Sequence, residues 1–144
     1  MSDTWHRSLV RVDGGFLLLI GLSLFVAVLV GYVTGRGPMG DYLHGMAYTI
    51  GFAEAFGLAI MVAVVLLGMA KAGNLRPWMG LALAVHALLG GANLLFWEIF
   101  DQTGMVAMGV IVTIIHGLFV IAHASALSLP ALTANAHLAS NNLP

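Results

Sequence analysis

The chain has 144 residues, of which 60% are hydrophobic and only 8% charged, and its formal net charge is −1. A soluble domain usually carries roughly a quarter charged residues, so this chain has too few to cover a surface facing water. A net charge near zero gives no support for nucleic-acid binding. The absence of cysteine excludes disulfides, thiolate metal sites and cysteine nucleophiles.

Four long apolar segments follow one another along the chain, at residues 14–34, 44–70, 77–100 and 105–129. Each reaches the roughly 20 residues that a helix needs to cross the hydrocarbon core. Helices also satisfy their own backbone groups in lipid. The connecting segments GRGPMGD, KAGNLRP and DQTG are short, so consecutive helices are expected to be antiparallel neighbours. The sequence therefore predicts an all-α, integral-membrane four-helix bundle over residues 1–130 and a flexible polar tail over residues 131–144.

The basic residues predict how this bundle is oriented. Arg7, Arg11, Lys71 and Arg76 flank the helices on one side, and Arg36 is alone on the other. Positive residues favour the cytoplasmic side of a membrane. We therefore expect both termini to be cytoplasmic, in a multi-pass protein of the cell inner membrane.

Polar residues at membrane depth are rare and usually functional. The candidates are His44, Glu54, His86, Asn93, Glu98, His116 and His123. Counting about 1.5 Å per residue from the connecting segments places His86 and His116 at similar depths on neighbouring helices. We expect these two to meet, through a hydrogen bond or a shared cofactor. His123 is expected to be structural, bonded to Ser125 or to Asp13.

The histidines also suggest a cofactor. Neutral imidazole binds zinc, copper and iron, but no helix carries the closely spaced pair of histidines that a closed zinc site favours. Haem needs only one or two axial ligands and an apolar slot. Haem b is therefore the predicted cofactor, with two geometries open. Either His86 and His116 form a mid-membrane pair, or His44 is a single ligand at the outer surface.

Three segments, DGGFLLLIGLSLFVAVLVGYVTG, PMGDYLHGMAYTIG and GGANLLFWEIF, carry a family resemblance. The first resembles the opening helix of the styrene oxide isomerase family. The second is similar to that family's Met-Gly segment before a histidine that opens helix two, and the third to an Ala-Asn stretch in helix three. The resemblance implies a trimeric four-helix membrane bundle with haem b between subunits. The ferric iron would act as a Lewis acid that opens an epoxide of a small apolar substrate to a carbonyl compound.

The resemblance also implies roles for particular residues. His44 matches the axial haem ligand, Asn93 matches the helix-three asparagine, and Trp97 falls where the family has a catalytic tyrosine. Tyr48 follows His44 by one turn. Gly51 follows by two turns and would let a porphyrin approach the backbone. We therefore expect a haem pocket of His44, Tyr48, Gly51 and Asn93, with catalytic roles for Asn93 and Trp97.

Besides Trp97, the sequence departs from the family pattern at two further positions, and its second helix is about two turns too long between His44 and Asn93. Ile50 stands where the family has an asparagine, and Leu89 where it has an acidic residue. Three alternatives therefore stay open: an electron-transfer subunit with a haem held by His86 and His116, a proton- or metal-coupled transporter using Glu54 and the histidines, and an accessory subunit whose polar groups only hold the helices together.

Overall fold

The computed structural model describes residues 3–128, and this part of the chain contains six helices and no strand. They are α1 (Asp3–Thr34), α2 (Gly40–Leu43), α3 (Thr49–Met69), α4 (Arg76–Leu95), α5 (Glu98–Gln102) and α6 (Val106–Ser128). Four of them, α1, α3, α4 and α6, are long and apolar enough to cross a membrane. The predicted all-α bundle of four membrane-spanning helices is confirmed. The predicted tail at 131–144 lies outside the described residues, and the cytoplasmic location of the termini stays a prediction.

The long helices pack as two pairs, α1 with α3 and α4 with α6. Glycines allow the close approach within each pair. A Cβ added at Gly14 of α1 would lie 2.9 Å from Cγ of Leu67 on α3, and one added at Gly90 of α4 would lie 3.2 Å from Cβ of His116 on α6. Small residues of this kind are typical of helix contacts in membranes. The interface between the two pairs holds the polar cluster described below.

One end of the bundle is closed by arginine side chains. Nη1 of Arg7 donates to the carbonyl of Ala70 at 3.3 Å, and Nη2 of Arg76 donates to the carbonyl of Leu127 at 2.9 Å. These bonds join the beginning of α1 to the end of α3 and the beginning of α4 to the end of α6, as expected for antiparallel pairs. We call this the basic end. The main apolar core begins there and contains Leu9, Val10, Leu17, Ala63, Leu66, Ala70, Leu75, Met79, Ala82 and Ala126.

The start of the second membrane-spanning helix differs from the sequence prediction. It begins at Thr49 rather than at residue 44, and His44 instead follows the last residue of the short α2. The helix is interrupted because Gly45 has φ +67°, a left-handed conformation that glycine adopts without strain. The hydroxyl of Thr49 donates to the carbonyl of Leu43 at 3.0 Å and stabilises the junction. The prediction that His44 opens this helix is therefore wrong.

Two further boundaries differ. The first helix begins at Asp3 rather than at residue 14, so it includes the basic residues near the amino terminus. The third membrane-spanning helix ends at Leu95 rather than at residue 100, because the backbone at Phe96, with φ −107° and ψ 34°, leaves the helical region. Trp97 therefore lies in the break between α4 and α5.

Candidate functional site

A buried carboxylate joins the two helix pairs. Asp13 on α1 is 0% exposed. Its Oδ1 lies 2.6 Å from Nε2 of His86 on α4, and its Oδ2 lies 2.7 Å from Nε2 of His123 on α6, both at hydrogen-bond distance. An ionised carboxylate accepts at both oxygens, and we assign an N–H to each of these two nitrogens on that basis. Asp13 is therefore a charged bridge between α1 and the α4–α6 pair.

The hydrogen-bond chain continues from His86 to His116. The Nδ1 atoms of these two imidazoles are 2.7 Å apart. His86 donates to Asp13 through Nε2, so its neutral ring has Nδ1 free to accept. The network thus assigns the shared proton to Nδ1 of His116 and leaves a lone pair on Nε2 of that residue. We call these three side chains the Asp13–His86–His116 relay.

Aromatic rings enclose the relay. Phe119 stacks on His86 with 4.5 Å between ring centroids and an interplanar angle of 12°, and Phe16 approaches His116 edge-on with centroids 6.3 Å apart. His123 lies near both rings, with its centroid 6.3 Å from that of Phe119 and 6.4 Å from that of His86. Hydrogen bonds are electrostatically stronger in such a low-dielectric surrounding than in water. The apolar walls therefore reinforce the relay geometry.

Two adjoining cavities lie beside the relay, between α1, α3, α4 and α6. Their volumes are about 110 and 220 Å³, and their shared walls include Phe56, Asn93 and Phe100. The smaller cavity reaches His116, and the larger extends to Thr103, toward the end opposite the basic end. We call the two together the interior cavity. Its lining is apolar apart from a few side chains, so it can accept a lipophilic molecule.

Asn93 presents an unused donor at this cavity. It lines both parts of it, and its buried Nδ2 has no hydrogen-bond partner among residues 3–128. Gly90 packs directly against His116, and Asn93 follows Gly90 by three residues, or about 4.5 Å of helix rise. A donor on α4 and the imidazole on α6 therefore face the same space, about one helical turn apart.

The predicted haem-pocket residues are divided between two places. His44, Tyr48 and Gly51 are exposed, and the ring of His44 lies beside Gly35. The hydroxyl of Tyr48 donates to the carbonyl of Tyr42 at 2.6 Å. The pKa of Tyr48 is raised above its ordinary value, first by desolvation and then by the electrostatic interaction and hydrogen bond with Tyr42. These three residues are on the exposed surface of the bundle, whereas Asn93 lines the interior cavity.

The remaining sequence candidates lie outside the relay. Trp97 is half-buried and packs against Phe100, with 5.5 Å between ring centroids. Asn93 and Trp97 would share one face of an unbroken helix, but α4 ends between them, so they do not. Glu54 and Glu98 are exposed on α3 and α5. Of the proposed catalytic pair, only Asn93 is on a cavity wall described above.

The mid-membrane histidine pair does not fit an axially bound iron as it is arranged. Metal–nitrogen bonds of about 2 Å on opposite sides of an iron would hold the two ligating nitrogens about 4 Å apart. The Nδ1 atoms of His86 and His116 are instead 2.7 Å apart in a direct hydrogen bond. Nε2 of His86 is engaged by Asp13. His44 keeps an exposed imidazole, and haem ligation by it stays a prediction. Among the described residues, no group of three or more His, Cys, Asp or Glu could hold a metal ion.

Two expectations about the histidines are confirmed. His86 and His116 meet through a hydrogen bond, and His123 bonds to Asp13. The second bond of Asp13, to His86, is not among the predictions, because Asp13 lies one residue before the first apolar segment. The signal was present, since Leu9, Val10 and Val12 precede Asp13 on the same helix.

Comparison with known proteins gives no relative. No family model, curated protein or solved structure matches the chain. The resemblance to styrene oxide isomerases stays a prediction, as do the trimer and the haem that it implies.

Proposed function

We propose that this membrane protein carries out acid–base chemistry within the bilayer. His116, supported by His86 and Asp13, exchanges a proton with a small lipophilic molecule held in the interior cavity. One observation carries the proposal. Hydrogen bonds of 2.6 and 2.7 Å run without a break from a buried carboxylate to an imidazole on the cavity wall.

The proton transfer can be written atom by atom. Nε2 of His116 takes a proton from a C–H or O–H bond of the bound molecule, whose electron pair stays on that molecule. The proton on Nδ1 of His116 passes to Nδ1 of His86. His86 is then an imidazolium that donates to Asp13 through Nε2 and to His116 through Nδ1. In deuterium oxide the proton held on Nε2 of His116 exchanges for a deuteron while the molecule is deprotonated, and the reverse sequence then returns that deuteron to the molecule.

The position of Asp13 suits this transfer. An isolated positive charge in a low-dielectric interior costs several kcal/mol. In this transfer the positive charge is carried by protonated His86, whose Nε2 is 2.6 Å from Oδ1 of Asp13. The carboxylate also fixes the ring orientation and tautomer of His86, and through it those of His116. Asp13 is thus a positioning residue, and His116 is the base that meets the bound molecule.

The surroundings favour local proton exchange over conduction across the membrane. Toward the basic end, the relay is followed by a fully buried apolar core that includes Val10, Met79 and Ala126. On the other side lies the interior cavity, whose larger part extends to Thr103, so solvent reaches the relay from this side only. A proton relay needs polar groups or water to continue. The relay can therefore exchange a proton with a molecule in the cavity, but it does not continue as a chain of proton carriers across the membrane.

Deuterium exchange into a lipophilic carbon acid tests the proposal. Protein in lipid nanodiscs would be incubated in deuterium oxide with acetophenone, and loss of the methyl C–H signal would be followed by NMR. We expect wild-type protein to accelerate exchange over empty nanodiscs. Asp13→Asn and His116→Asn should lose about 10²-fold or more of that acceleration, since general acid–base groups contribute 10²–10⁴-fold.

Controls separate a chemical effect from a folding effect. Asp101→Asn changes an exposed carboxylate on α5 and should exchange at the wild-type rate. His116→Asn keeps a side-chain donor for His86 but no base, and far-UV circular dichroism would check that each variant remains helical. Wild-type exchange no faster than that of empty nanodiscs would refute the proposal, and so would a well-folded Asp13→Asn protein with the wild-type rate.

A further inference from the structure

We infer that the molecule taken by the interior cavity is a ring-sized carbonyl compound. Its oxygen accepts a hydrogen bond from Asn93, and the C–H next to the carbonyl faces Nε2 of His116. The inference rests on the proposed function, because it names the class of molecule on which the same relay acts.

The size of the cavity sets the first limit. Its two parts have volumes of about 110 and 220 Å³. An apolar cavity of about 150 Å³ is known to hold benzene. The larger part therefore takes a single ring. The smaller part, which ends at His116 and Phe16, takes a short substituent that brings a C–H to the base.

Polarity sets the second limit. Nδ2 of Asn93 is an unpaired hydrogen-bond donor at the boundary of the two parts. A molecule that fits the cavity should therefore place an oxygen acceptor there. A hydrocarbon would leave this donor unsatisfied, which lowers affinity by about 5- to 150-fold at the usual cost of an unpaired buried group. No lysine or arginine appears among the residues that line either part. A carboxylate would therefore carry an uncompensated charge into the membrane interior, so a neutral oxygen group fits better.

The chemistry selects a carbonyl among neutral oxygen groups. Removing a proton from the carbon beside a carbonyl sends the electron pair into a new C=C bond and leaves negative charge on the oxygen. A donor placed where charge develops stabilises such a state, and Nδ2 of Asn93 has that position. The proton goes to Nε2 of His116, and no oxidant or reductant is needed. An alcohol could only exchange its O–H proton there.

Three probes of matched shape test the inference by binding alone. They are para-fluoroacetophenone, the alcohol obtained by reducing its carbonyl, and para-fluoroethylbenzene, each added to protein in nanodiscs. Fluorine NMR would separate the protein-bound signal from the lipid-dissolved signal. We expect the ketone to bind at least about fivefold more tightly than the hydrocarbon. Equal affinities for all three probes, or tighter binding of the alcohol than of the ketone, would overturn the inference.

Variants locate the binding. Asn93→Leu should abolish the preference for the ketone while keeping hydrocarbon binding, whereas Asn74→Leu, in the exposed segment before α4, should leave the preference unchanged. Ala55 lines both parts of the cavity, so Ala55→Leu should weaken all three probes. Unchanged binding in Ala55→Leu, or an unchanged ketone preference in Asn93→Leu, would refute the site.

The two proposals fail in different ways. If the ketone preference depends on Asn93 but wild-type protein does not accelerate deuterium exchange, the acid–base function is refuted and the carbonyl-binding site stands. If exchange depends on Asp13 and His116 but no ketone preference appears, the acid–base function stands and the inferred class of molecule is wrong.

Discussion

Replacing Asp13 by alanine should destabilise the bundle more than any surface substitution. The change removes both acceptors of the bridge, so Nε2 of His86 and Nε2 of His123 each lose their partner in a fully buried place. A buried donor left unpaired costs about 1–3 kcal/mol, and two such donors give a loss of about 2–6 kcal/mol in the free energy of unfolding. Interhelical hydrogen bonds in membranes average about 0.6 kcal/mol, but the partner here is a carboxylate. We therefore expect a loss of at least about 2 kcal/mol.

Unfolding in mixed micelles of increasing dodecyl sulfate content, followed by circular dichroism, would measure this loss. Asp101→Ala is the matched control, since Asp101 is exposed, and it should stay within about 0.5 kcal/mol of wild type. Asp13→Asn should fall between the two, because its amide still offers one acceptor and a donor to the neighbouring imidazoles. A loss below about 1 kcal/mol for Asp13→Ala would refute the view that this carboxylate holds the two helix pairs together.

Three other outcomes are expected. Gly90→Ala should lower the free energy of unfolding by about 1–3 kcal/mol through overpacking and slow deuterium exchange, because its new Cβ would lie 3.2 Å from Cβ of His116. A Cβ at Gly91 would meet nothing within 4 Å, so Gly91→Ala should resemble wild type. Equal behaviour of the two variants would contradict the packing described. His44→Ala should abolish any haem absorption of the purified protein without impairing membrane insertion, and an unchanged spectrum would remove His44 as the ligand. A topology reporter fused after Pro144 should read cytoplasmic, and a periplasmic signal would overturn the predicted orientation.

Much of the architecture could be predicted because lipid imposes simple rules. Length and hydropathy identify the spans, and short connections make neighbours antiparallel. Depth along two such neighbours can then be counted from their shared turn, which is why the contact between His86 and His116 could be predicted. The same counting places His123 about two turns beyond His116, nearer the side where the first helix begins. Asp13 on that helix is therefore a reasonable partner for His123.

Other features depend on three-dimensional packing. Gly45 interrupts the second span inside a segment whose composition stays apolar, and glycine is common enough in membrane helices that it predicts no break by itself. The second bond of Asp13 and the interior cavity arise only when α1 meets the α4–α6 pair. Asn93 was singled out by its polarity, but sequence alone could not show that its Nδ2 lacks a partner.

The bridge also has a consequence for how the protein is made. Asp13 belongs to the first helix, and its partners His86 and His123 are synthesised 73 and 110 residues later. When α1 enters the bilayer, neither imidazole exists, and an aspartate within an inserting helix has a free-energy cost that reaches about 2.5–3.5 kcal/mol at the helix centre. The strongly apolar remainder of α1 offsets this cost, since it has the highest hydropathy of the four spans. The carboxylate reaches its full set of partners only when α6 docks, so the site cannot be complete before α6 has entered the bilayer.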